Sequence, residues 1–194
     1  MKISRMFLYD DYKGTRDYLK TQSRYELART IIYFALSASL FIAGILTTGD
    51  RMNLLTVVAV LGCLPACKSA IDTFMFMRYK GCNSENADAI DAHMEGLVGL
   101  YDRIFTSYTI NFQVAHLTVK GNTLCGFTQD DHFDENAFNQ HITGILQKDG
   151  FKDVSVKIFK DIKKYTARLE QIKELDADEK NTAGIISTLN NVSL

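Results

Sequence analysis

Proline, cysteine and net charge are all scarce in this chain, and each scarcity excludes something. Pro65 is the only proline, and no internal repeat or low-complexity tract is visible. The four cysteines, Cys63, Cys67, Cys82 and Cys125, show no CxxC and no Cys/His ligand spacing. Four scattered thiols do not make a disulfide framework. The formal net charge is −1 at pH 7, which gives no global argument for a nucleic-acid partner. Also absent are a phosphate-cradling glycine-rich loop after a strand, a Gly-x-Ser-x-Gly elbow and an HExxH pair. No residue is therefore assigned a catalytic or cofactor-binding role, no cofactor is expected, and the chain is not read first as an enzyme.

The most informative absence is of charge between Arg29 and Asp50. The residues between them, TIIYFALSASLFIAGILTTG, are mostly Ile, Leu, Phe and Ala. At about 1.5 Å of rise per residue they span roughly 30 Å, the thickness of a hydrocarbon core. A second stretch, MNLLTVVAVLGCLPAC from Met52, is also uncharged. It is short for a span, so the helix is expected to continue to Met77 with Lys68 and Asp72 in its inner half. Pro65 removes a backbone donor there and is expected to bend the helix near Leu61.

An ion in hydrocarbon costs about 2.5–3.5 kcal/mol, so Lys68 and Asp72 each need a partner. Their i, i+4 spacing places them on one face, where they can pair. The functional reading is an intramembrane ionic site; the plainer one is a snorkelling lysine beside a neutralising aspartate. Small residues recur every four positions: Ala35, Ser39 and Ala43 on the first helix, Gly62, Ala66 and Ala70 on the second. In lipid such faces let backbones approach, so self-association through them is expected. The turn Thr48-Gly49-Asp50-Arg51 is tight and makes the helices antiparallel neighbours.

Orientation follows from flanking charge. Residues 1–29 carry seven basic side chains against four acidic ones, and Arg78 and Lys80 follow the second helix. The positive-inside rule places both termini in the cytoplasm of a cell inner or plasma membrane, with the turn outside. The bilayer is the expected partner. No cleavable signal peptide is expected, since the first apolar run starts near residue 30 behind a charged segment. The expected layout is a juxtamembrane segment 1–29, spans 30–49 and 54–77 joined by an external turn 50–53, and a cytoplasmic domain 84–194.

In the N-terminal segment Gly14 is a break and Thr15 the expected N-cap of a helix running into the membrane. Residues 81–85 form a hinge into the soluble domain, with Asn83 or Ser84 capping the next helix. Ile90, Met94, Leu97, Val98, Tyr101, Ile104, Phe105 and Tyr108 fit a helical period, with Asp88, Asp91, Glu95 and Asp102 opposite and His93 at the edge. A hairpin follows, Asn111–Val119 and Thr123–Thr128 about a Gly121-Asn122 turn, which sets His116 opposite Phe127. Asp134 caps a helix to Lys148, with Phe133 and Phe138 as a staple and Asp149-Gly150 as its end. Val154–Phe159 is a third strand, and Asp161 caps a further helix. After a charged break at 176–181, Ile185, Ile186 and Leu189 have helical spacing. The expected fold class is a membrane α-helical hairpin plus a small cytoplasmic α+β domain of order α-β-β-α-β-α-α.

The densest polar cluster is Asp130, Asp131, His132, Asp134 and Glu135, with His141 beyond. Carboxylates and imidazole can ligate a divalent metal, but the loop lacks the calcium-hand pattern and Asp134 already has a capping role. Three readings of function follow. The first is a two-pass membrane protein whose cytoplasmic domain is an interaction or sensing module, in a homo-oligomer. The second is a membrane-tethered metal-dependent hydrolase or nuclease using the Asp130–Glu135 loop. The third is an oligomeric channel or transporter in which Lys68 and Asp72 line a pathway.

Overall fold

The computed structural model describes residues 12–107, 110–175 and 179–194. It divides into two compact units, one holding residues 19–80 and the other residues 81–194 with 12–18.

The first unit is built from two long helices, α1 (Tyr18–Thr48, whose first residue belongs to the other unit) and α2 (Leu54–Arg78). Helix α1 starts at Tyr18, not after Thr15: Asp17 has a left-handed φ of 58°, which a helix cannot continue through. Thr47 and Thr48 turn their hydroxyls back to the Ala43 and Gly44 carbonyls, both at 2.8 Å, so the polar end of α1 satisfies itself. Gly49 takes the left-handed φ of 68° that ends the helix. Asn53 then caps α2, its Oδ1 accepting from Thr56 N–H at 2.9 Å.

The two helices carry their polarity inside out. Beyond its first two residues, Tyr18 and Leu19, which are also buried, α1 buries Gln22, Glu26, Thr30, Ser37 and Gly44; buried on α2 are Ala59, Ala66, Ser69, Thr73 and Phe76. The large apolar side chains point away: Leu46 is 80 % exposed, Phe74 69 % and Leu64 67 %. Close approach along the seam depends on small residues. A β-carbon on Gly62 would stand 2.8 Å from Ser37 Oγ, and one on Gly44 2.7 Å from Asn53 Oδ1. The α1 seam thus runs through Thr30, Ser37 and Gly44. Ala35, Ser39 and Ala43 are exposed instead, while on α2 Ala66 is buried and Gly62 and Ala70 are half-buried.

The second unit is a four-stranded sheet with helices on both faces. In chain order it contains α3 (Ser84–Asp91), β1 (Val98–Thr106), β2 (Asn111–Lys120), β3 (Thr123–Phe127), α4 (Glu135–Lys148), β4 (Ser155–Phe159), α5 (Ile162–Lys173) and α6 (Glu179–Val192). The strand order is β1-β2-β3-β4, antiparallel except for β3 with β4, which the α4 crossover makes parallel.

One expectation is overturned here. The long helix through Tyr101 and Phe105 does not form; α3 ends at Asp91, and a strand follows. The order is therefore α-β-β-β-α-β-α-α. Gly96, at φ 74°, sits in the break between them. Beyond it the β-branched and aromatic residues Val98, Tyr101, Ile104, Phe105 and Thr106 suit a sheet. Tyr108 and residues 176–178 of the expected charged break lie outside the described residues.

The remaining boundaries follow local chemistry. Lys120 pairs with Thr123 across the Gly121-Asn122 turn, and His116 pairs with Phe127. Asp134 Oδ1 accepts from Ala137 N–H at 3.0 Å to cap α4, and Asp161 Oδ1 from Lys163 N–H at 2.8 Å to cap α5. The Phe133 and Phe138 rings meet with centroids 5.2 Å apart, the staple at the entry to α4.

Two cores result. Helices α4 and α6 bury Phe138, Ile142, Ile185 and Leu189 against Phe105, Phe112, Leu117 and Leu124. Helices α3 and α5 bury Ile90, Tyr165 and Leu169 against Tyr101, Ala115 and Phe127 on the opposite face. Aromatic edges add to the first core, as where Phe112 meets Phe138 at 5.4 Å.

Candidate functional site

In the first unit the sequence-predicted pair is joined by two residues that sequence reasoning left out. Lys68 Nζ donates to Asp72 Oδ2 at 3.2 Å. The same carboxylate oxygen lies 3.6 Å from Arg29 Nη2 on the other helix. Arg29 also pairs with Glu26 one turn earlier, and Gln22 Nε2 donates to Glu26 Oε1 at 3.0 Å. Two acids and two bases thus form a chain of formal charge zero across the hairpin. Beside it Arg29 Nε donates to Ser69 Oγ at 3.2 Å. Thr30 Oγ1 reaches Ser69 Oγ at 2.9 Å and Thr73 Oγ1 at 3.0 Å, and Thr73 Oγ1 donates to the Ser69 carbonyl at 2.8 Å.

Burial ranks the four ions. The Glu26 side chain is 2 % exposed and that of Arg29 12 %, whereas Lys68 is 78 % exposed. The buried pair therefore relies on its partners, and Lys68 has a free route outward. A signal for Arg29 did exist: it and Asp72 lie at equal chain distance from the Asp50-Arg51 turn. An antiparallel hairpin must bring such residues to the same level.

In the second unit the Asp130–Asp134 loop is spent on its own structure. Asp130 Oδ1 accepts from His132 N–H at 2.9 Å, Asp134 caps α4, and Lys160 Nζ donates to the Asp131 carbonyl at 3.0 Å. No group of three or more ligating side chains that could hold a metal ion occurs among the described residues. His141 lies against the Phe112 ring, centroids 6.1 Å apart.

The polar groups that the sheet buries lie elsewhere. His116 is fully buried between Tyr101 and Tyr165, and its Nδ1 lies 2.6 Å from the Tyr165 hydroxyl. Its Nε2 has no hydrogen-bond partner among the described residues. Burial, which disfavours the charged ring, pushes its pKa down to about 3. Tyr101 donates its hydroxyl to Asp91, and Asp91 in turn meets Arg16 at 3.0 Å. Arg16 also pairs with Asp88 at 2.8 Å, so the short segment before α1 is fastened to α3.

On β1, Asp102 and Arg103 are both buried although both are ionisable. Asp102 has φ 55°, and its Oδ1 accepts from Cys82 N–H at 2.7 Å. Burial, with the nearby Asp102 carboxylate second, pushes the Cys82 thiol up to about 12, which leaves it protonated and unreactive. Arg103 donates to Ser193 Oγ at 3.2 Å and to Asn190 on α6, and burial holds its guanidinium down to about 10. The expected helical face for Asp102 hid this pair: a sheet covered on both sides leaves no solvent side for a charged residue to mark.

Comparison with protein-family models, with curated proteins and with solved structures finds no match to the chain.

Proposed function

We propose that this chain is a two-pass integral membrane protein, with spans near 30–49 and 54–77, both termini in the cytoplasm, and an α+β domain that serves as an interaction or sensing module. The observation that carries the reading is the inverted hairpin. In water, a pair of helices buries its leucines and exposes its threonines, serines and ions. Here Thr30, Ser37, Ser69 and Thr73 are buried while Ile31, Phe34, Ile42, Leu61 and Leu64 are not. Two apolar helices of 31 and 25 residues are long enough to cross a bilayer, and only 17 % of each apolar window is buried. Lipid is the solvent that makes this arrangement favourable, since seam hydroxyls satisfy one another away from it.

The charged quartet supports an anchoring role over conduction. Its charges cancel, which lowers the cost of placing ions beside hydrocarbon. On the proposed orientation it lies at the cytoplasmic ends of both helices, where Lys68 can reach the headgroups. Self-association through the outward Ala35, Ser39 and Ala43 face belongs to the same proposal.

Protease protection on right-side-out vesicles tests the topology. Residues 81–194 should resist protease added outside and be cleaved once the vesicles are opened. Cleavage of that domain from outside would overturn the reading.

A further inference from the structure

The two rims of the sheet are treated differently by the chain. The outer rim of β1 is occupied: Tyr101 N–H donates to the Gly14 carbonyl at 2.8 Å, and Leu194 N–H to the Ile104 carbonyl at 3.0 Å. Phe105 also bridges Ser193 there. The outer rim of β4 is bare among the described residues. Two bonds fix its direction. Ser155 N–H donates to the Asn122 carbonyl at 2.8 Å, and the Phe159 carbonyl accepts from Thr128 N–H at 2.9 Å. Residues 155, 157 and 159 therefore turn their main-chain groups toward β3. Alternation then directs those of Val156 and Ile158 outward, where nothing among the described residues meets them.

Charge surrounds this rim. From Lys148 to Arg168 there are seven basic side chains and three acidic ones. Lys152, Lys157, Lys163 and Lys164 are exposed. Lys157 lies along the strand, its Nζ 5.3 Å from the Phe159 ring centroid. Lysines on a bare rim discourage pairing with the same rim of a second copy. They favour an incoming strand of opposite sign.

We propose that the β4 rim docks an extended acidic segment of a partner protein, which joins the sheet as a fifth strand. Main-chain bonds to Val156 and Ile158 supply affinity, and acidic side chains facing Lys157 and its neighbours supply selection. The proposal rests on the reading of the sheet domain as an interaction module, and does not depend on the bilayer.

The test uses the full-length protein in detergent micelles, with a short fluorescein-labelled peptide alternating glutamate and valine and a lysine-valine counterpart. The glutamate peptide should bind saturably by anisotropy and slow hydrogen–deuterium exchange at Val156 and Ile158; the lysine peptide should not. Val156→Pro, which deletes a rim donor at an edge position that tolerates proline, should abolish binding. Lys152→Glu with Lys157→Glu should weaken it about tenfold or more. If Val156→Pro does not fold, by its thermal melt, the charge variant and the exchange footprint decide. Absence of saturable binding, or binding without slowed exchange at these two amides, overturns the proposal. So does protection there in the free protein that grows with its concentration, since that would make a second copy the occupant. Peptide binding in a chain whose domain is cleaved from outside vesicles would refute the topology and leave the rim proposal standing.

Discussion

A β-carbon at position 99 would stand 2.3 Å from His116 Nε2 and 2.6 Å from the Met94 methyl. Glycine at 99 is what lets the imidazole lie against the β1 backbone, and the same closeness keeps water from the ring. Its protonation is then coupled to folding. The unfolded chain takes a proton on this group as pH falls through 6.5, while the folded chain refuses it until about 3. Stability is therefore complete above 6.5 and is lost progressively below it, by at most about 1.4 kcal/mol per pH unit for one proton. Thermal melts of the full-length protein in micelles should fall between about pH 7 and about pH 5, and His116→Gln should flatten that slope. An equally steep fall in the variant would assign the effect to other groups. From sequence alone His116 reads as an ordinary strand histidine placed opposite Phe127, and that pairing is present. What the sequence does not display is Gly99 and Tyr165 closing around it, because both meet it only through tertiary packing.

Among the elements, those bounded by local chemistry were legible and those bounded by burial were not. Asp134, Asp161 and the Gly121-Asn122 turn act within a few residues of themselves, so their effects read straight from the chain. Strand β1 does not. Its residues Leu100 to Phe105 are all buried, including Asp102 and Arg103, which erases the alternation that announces a strand. What is left satisfies a helical period by coincidence of Tyr101, Ile104 and Phe105. The hairpin seam shows the same division, since the apolar runs are plain and the Arg29–Asp72 crossing requires the two helices to be laid side by side. Its energetics are testable. Arg29→Leu leaves Glu26 buried without its cation, and should cost about 3 kcal/mol. Lys68→Leu removes an exposed partner and should cost under about 1 kcal/mol. Unfolding in mixed micelles measures both, and equal losses would contradict the ranking by burial.

For the whole molecule, the inversion of the hairpin makes the expected behaviour sharp. The chain should sediment with membranes, remain there through alkaline carbonate, and enter solution only with detergent. Release by carbonate would mean that the apolar faces of α1 and α2 are covered by protein. Composition and run length already pointed to these two helices. They could not reveal which face of each would be buried, because a helix uniformly rich in apolar residues offers no stripe to follow.

One property of the sheet has a bearing on biosynthesis. Its strands lie side by side in the order in which they are translated. A nascent chain emerging from the ribosome can therefore lay each strand on a neighbour already present, without holding a place open for a later arrival. Helix α6 and the Ser193 bridge follow all four strands in the chain yet return to the first one, so the outer rim of β1 is completed only after the rest of the sheet has been made.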